Sequence, residues 1–224
     1  MFDAVIFDCD GVLVDSEILA RAIAIDVLGA IGLDYSEDDF QTRFMGASDA
    51  AFFAALDRDG RTRLGRSIRD EVYDPIKTRL RAAIAERLTA VPGAAAAIAR
   101  FAGPKAVASS SSVQGLEVKL RKTGLWDFFA PHVYGAEHVM QAKPAPDLFL
   151  HAAKMLGASP SHCLVIEDTV HGVRAAHAAG MLVWGFMGGS HMNAGSRSRL
   201  VAAGAHRIVA NWREAGELFS RGGR

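Results

Sequence analysis

A recurring unit limits the fold of this chain more than any other feature: a helical pattern, one glycine, then an apolar run. Val113–Lys122, Asp147–Leu156, Val170–Ala179 and Arg199–Ala203 carry helical periodicity, and they stop at Gly124, Gly157, Gly180 and Gly204. Glycine just past a helix end takes the left-handed cap conformation without steric cost. Phe2–Phe7, Ala106–Ala108, Cys163–Ile166, Met181–Phe186 and His206–Val209 read as strands, with His132–Tyr134 as a weaker one. They lack regular alternation, which suits strands covered on both faces. Strands and helices in this succession predict an open parallel sheet between two layers of helices.

The rhythm breaks from about Ser16 to Leu88. Helical patterns run over Ile18–Ile31, Ala47–Leu56 and Ile68–Leu88, and Pro75 starts or kinks part of the last. Val91-Pro92-Gly93 returns the chain to the sheet, and alanine-rich Ala94–Ala99 has good helix composition. The expected class is α/β: a Rossmann-like parallel sheet core from 1–15 and 89–224, with a helical cap, 16–88, inserted after the first strand.

Chemistry-bearing residues gather where the strands end, which is where open parallel sheets place their sites. Asp8 and Asp10 close the first strand and, at i and i+2, project to the same side of extended chain. Gly11 lets the backbone turn close past a ligand. An acidic turn is the plain alternative. Two adjacent acids resist joint ionisation unless a cation compensates, and magnesium takes oxygen ligands while tolerating bound phosphate. Glu167-Asp168 follow another strand; metal ligation and a helix N-cap at Asp168 are equally open for that pair. Ser109–Ser112 follow the second strand, where hydroxyls and N–H groups suit a phosphate; ordinary capping is preferred for Ser112. Lys143, between Ala142 and Pro144, is either a stiffly presented ammonium for phosphate or a surface lysine.

Together these residues resemble the haloacid dehalogenase superfamily, and within it the β-phosphoglucomutase-like branch. The resemblance is carried by D-x-D-G-V-L-x-D-S from Asp8, the serine after the second strand, the lysine in K-P-A-P-D, and E-D-T-x-x-G-V-x-A-A-x-A-A-G-M from Glu167. It implies that Asp8 attacks phosphorus to form an aspartyl phosphate. Asp10 then protonates the leaving oxygen and helps activate water, and its backbone carbonyl binds magnesium. Asp168 is implied as a direct metal ligand beside Asp8, and Glu167 as a direct or outer-shell one. Ser109, Ser110 and Lys143 are implied as phosphate anchors. Mutases of this branch carry a cap histidine where Ala20 stands, and an arginine soon after the glycine matching Gly46, where Asp49 stands. A mutase must hold a second phosphate in its cap, and Arg43, Lys77 or Arg79 are the available replacements. The expected activity is therefore magnesium-dependent hydrolysis of a small phosphate monoester, with a sugar phosphate as the expected substrate. Mutase-type transfer comes second and non-catalytic metabolite binding third.

The chain has 25 Lys+Arg against 25 Asp+Glu, which gives no general attraction to nucleic acid or an anionic membrane. No apolar run approaches the roughly 20 residues of a membrane span. The stretch Val5–Phe7 stops at Asp8, so no secretory leader is read. Cys9 and Cys163 lie inside strand-like runs and suit buried thiols better than a disulfide. The partner expected is a small phosphorylated metabolite, without nucleic acid or membrane, bound by a monomer in a reducing, cytoplasmic setting. His138, His151, His162, His171 and His177 lack zinc-site spacing. His191 and Asn193, in a glycine-rich segment after a strand, either lie on the active edge or belong to a flexible loop, the preferred reading.

Overall fold

The computed structural model describes residues 2–44 and 47–221, and Gly46 lies outside them. Six parallel strands form one sheet: β1 (Ala4–Phe7), β2 (Lys105–Ala108), β3 (Val133–Tyr134), β4 (Cys163–Glu167), β5 (Leu182–Phe186) and β6 (Arg207–Val209). Their order is β3-β2-β1-β4-β5-β6. The chain builds outward from β1 to β3, then returns to the other side of β1 with β4. That reversal creates a crevice at the carboxyl ends of β1 and β4.

Alternate side chains of each strand enter opposite layers. Val5 and Phe7 pack with Leu116 and Leu120 of α6 (Val113–Lys122) and with Trp212 and Phe219 of α10 (Trp212–Ser220). Ala4 and Ile6 pack with Phe149 of α7 (Asp147–Met155), Val173 of α8 (Val170–Ala178) and Leu200 of α9 (Ser196–Ala203). Gly124, Gly157, Gly180 and Gly204 all have positive φ, from 67° to 109°, as the helix-stop pattern predicts. Cys9 and Cys163 are free and buried.

Between β1 and β2 lie α1 (Ser16–Ala30), α2 (Glu37–Phe44), α3 (Asp49–Leu64), α4 (Arg69–Arg87) and the short α5 (Ala94–Ile98). The first four share their own apolar cluster, which includes Leu28, Phe40, Phe53, Leu56 and Val72. Pro75 sits inside α4 without ending it. The chain leaves and re-enters the sheet layer along paired segments: Asp15 N donates to Thr89 O at 3.0 Å, and Val91 N to Leu13 O at 2.9 Å. Among the described residues no helix is long and apolar enough to cross a membrane.

Candidate active site

The parallel register sets Phe7 opposite Ile166, so the next residues, Asp8 and Glu167, emerge side by side. Beyond Asp8 the chain turns sharply. Leu13 N and Val14 N both donate to Cys9 O, and Gly11 N donates to Val14 O at 2.8 Å. Gly11 has φ 80°, and a Cβ there would stand 2.1 Å from Asp168 Oδ2. Only glycine therefore allows this turn to lie against the Asp168 carboxylate.

Lys143 is 8% exposed, which rules out the surface-lysine alternative. Its Nζ donates to Asp8 Oδ1 at 2.7 Å, Glu167 Oε1 at 2.8 Å and Ala108 O at 3.0 Å. Glu167 Oε2 accepts from Thr169 N at 2.8 Å and Thr169 Oγ1 at 2.9 Å. Both oxygens of Glu167 are thus engaged by protein donors. The N-cap of α8 is Thr169, whose side chain accepts from Gly172 N, so Asp168 is not the cap.

Asp10 faces a different set of partners. Its Oδ1 accepts from Lys119 Nζ at 2.5 Å and from Ser16 Oγ. Its Oδ2 accepts from Ser111 Oγ at 2.7 Å and more distantly from Ser109 Oγ at 3.4 Å. Lys119 was not among the expected site residues, and Ser111 was expected only as a member of the run Ser109–Ser112. Ser110 lines the cavity below, and Ser112 caps α6 by accepting from Gly115 N, as preferred for it.

Burial raises the Asp8 carboxyl well above the ordinary range; Lys143 opposes the shift, while Glu167, Asp168 and Asp10 reinforce it. Burial and the charge of Glu167 likewise raise Asp168. Burial also acts upward on Asp10, but Lys119 and the hydroxyls outweigh it and bring the group down to about 2.

Asp8, Asp10, Ser109, Ser110, Lys119 and Lys143 line one end of a cavity of about 150 Å³. Glu17, Ala20, Arg21, Phe44, Phe52 and Lys77 line the helical end. Lys77 is paired with Asp49 at 2.5 Å and Arg21 with Glu37 at 3.0 Å. Arg43 and Arg79 instead pair with Asp59 and Asp26, away from the cavity lining.

The expected cation can be tested against this donor set. Asp168 is buried, and both its oxygens lack an aligned hydrogen-bond donor among the described residues. An unsatisfied buried carboxylate next to Asp8 is what a hard, oxygen-seeking cation requires. Among the described residues no three His, Cys, Asp or Glu side chains converge as a metal cluster. The fit is therefore to an ion that draws on two carboxylates, a backbone carbonyl and water, as magnesium does. His191 is not a loose loop residue: it is 4% exposed, with Nε2 2.9 Å from Asp168 Oδ2.

Residues 2–180 match the haloacid dehalogenase-like hydrolase family. The chain is 37% identical over 80% of its length to Protein Suppressor of Quenching 1, chloroplastic, of Arabidopsis thaliana, of which it spans only 17%. It is 32% identical to the fructose-1-phosphate phosphatase YqaB of Escherichia coli, over 80% of this chain and 94% of that one. It is 26% identical to the 6-phosphogluconate phosphatase of the same organism, over 84% of each. A conserved haloacid dehalogenase-like protein of Agrobacterium tumefaciens superposes with a TM-score of 0.89 over 100% of both chains at 34% identity.

Proposed function

The chain belongs to the haloacid dehalogenase-like hydrolase family, and from that premise we propose that it hydrolyses small phosphate monoesters through a phosphoryl group carried on Asp8. The observation that carries this reading is the division of labour between the two first-strand acids. Asp8 is held by Lys143, whereas Asp10 is held by Lys119 and serines, and both face one cavity.

In this reading the substrate phosphate enters between Asp8 and the Lys119–Ser111 side of the cavity. Lys143 and Lys119 neutralise its oxygens, and Ser109 and Ser111 donate to them. Asp8 attacks phosphorus as the bond to the leaving oxygen breaks, and Asp10 delivers a proton to that oxygen. Asp10 then takes a proton from the water that cleaves the aspartyl phosphate, releasing inorganic phosphate. Lys119 holds Asp10 ionised. An arriving phosphate competes for that ammonium, which lets Asp10 rise into the range where it can carry a proton.

Magnesium, held by Asp8, Asp168 and the Asp10 backbone carbonyl, would supply positive charge for the phosphoryl oxygens. Glu167 serves by fixing Lys143 and the start of α8. The helices of 16–88 act as the cap, closing the substrate's organic group away from bulk water. The names of the two bacterial relatives support sugar phosphates as the first class to assay.

A phosphate-release screen with magnesium over an aryl phosphate and a series of sugar phosphates, with products identified by NMR, tests the reading. The expected products are free phosphate and the dephosphorylated alcohol. An isomerised sugar phosphate without free phosphate would replace hydrolysis by mutase transfer.

A further inference from the structure

We infer that His191 is a positioning residue for the Asp168 carboxylate, and that residues 188–193 form a strap tying cation binding to the placement of the cap. The inference rests on the proposed role of Asp168 as a cation ligand. The His191 ring fills a slot that only glycines leave open: its Cε1 would lie 2.6 Å from a Cβ on Gly11 and 2.7 Å from one on Gly189. In that slot Nε2 stands 2.9 Å from Asp168 Oδ2, so the imidazole limits the room in which the carboxylate can turn.

The same short segment reaches the inserted helices at separate points. His191 O accepts from Gln41 Nε2 at 3.0 Å. Asn193 Nδ2 donates to Asp38 Oδ1 at 2.8 Å and to Gln41 Oε1 at 3.0 Å, both on α2. Ser190 N donates to Asp15 Oδ1 at 3.0 Å, at the point where the chain leaves the sheet for α1. A strap that touches the carboxylate at one residue and the cap at its neighbours gives the two sites a shared mechanical element. Linkage then requires reciprocity: if cap placement favours the cation, the cation favours that placement by the same factor.

The test measures magnesium affinity by calorimetry, and hydrogen exchange over 37–44 with and without magnesium plus inorganic phosphate. In the wild-type protein the ligands are expected to slow exchange in that segment. His191→Ala should weaken magnesium binding by about 10- to 100-fold, the usual range for an outer-shell partner, and abolish the protection. His191→Gln, which keeps a polar side chain of similar reach in the slot, should recover most of the affinity. Gln41→Ala leaves the imidazole in place and should lose the protection with a smaller change in affinity, and it serves where His191→Ala does not fold. Magnesium affinity within twofold of wild type in His191→Ala, or full protection in Gln41→Ala, overturns the inference. Unchanged magnesium binding in Asp168→Asn would overturn the cation reading itself, and the inference with it. Weakened binding in Asp168→Asn beside wild-type behaviour in His191→Ala would remove the inference alone.

Discussion

Lys119, in the middle of α6, places its ammonium 2.5 Å from Asp10 Oδ1, although 109 residues of chain separate the two. Both side chains are largely buried. Removing the cation leaves an uncompensated charge in the interior, so Lys119→Met should cost about 3–5 kcal/mol at neutral pH. The fold holds Asp10 at about 2, below the ~3.9 of an unfolded chain. Its ionised form therefore stabilises the protein above that range, and the contribution fades as pH falls from about 4 toward 2. Denaturation of both proteins at neutral pH and near pH 2 should show a large gap that closes on acidification. A gap independent of pH would refute the pairing.

Gly172 lies under Glu167 so closely that an added Cβ would meet Oε1 at 1.7 Å. Gly172→Ala must push the carboxylate off Lys143 and Thr169. We expect a stability loss of roughly 1–3 kcal/mol and a fall in kcat, because Lys143 loses one of the two acids that orient it. Wild-type kinetics and melting temperature in this variant would show that the anchor is dispensable.

Asp168 presents the opposite balance. A buried carboxylate without an aligned donor is costly in the metal-free protein. Asp168→Asn should therefore melt at a higher temperature than wild type in EDTA, by the equivalent of about 1–3 kcal/mol, and gain nothing on addition of magnesium. Thermal melts with and without magnesium check both halves, and a magnesium-dependent rise in the variant equal to that of wild type would contradict the assignment.

Much of this architecture is legible in the chain because its signals are local. Apolar runs that end at Asp8, Ser109 and Glu167 mark the sheet edge, and Gly124, Gly157, Gly180 and Gly204 end the helices with the positive φ that their position demands. α2 and α10 escaped the sequence reading. The first offers only Phe40 and Phe44 as apolar markers, and Gly216 interrupts the second. Lys119 escaped because its partner, Asp10, is distant in sequence, and for the same reason the run Ser109–Ser112 did not mark Ser111 as the one on Asp10. One signal was present: Lys119 falls on the same α6 face as the buried Leu116 and Leu120, where a lysine is costly unless paired. The burial of His191 depends on two glycines from different segments, Gly11 and Gly189, and periodicity carries no such information.

Asp8 as the phosphoryl acceptor is the claim on which the rest depends. The direct measurement is turnover of an aryl phosphate with magnesium by wild type and Asp8→Asn, with circular dichroism and melting to establish that both are folded. Acid-quenched wild-type enzyme is analysed alongside for a phosphorylated peptide containing Asp8. The expected result is a folded, inactive variant and a hydroxylamine-labile phosphoryl group on the wild-type peptide. A folded Asp8→Asn protein that turns over at the wild-type rate would contradict it.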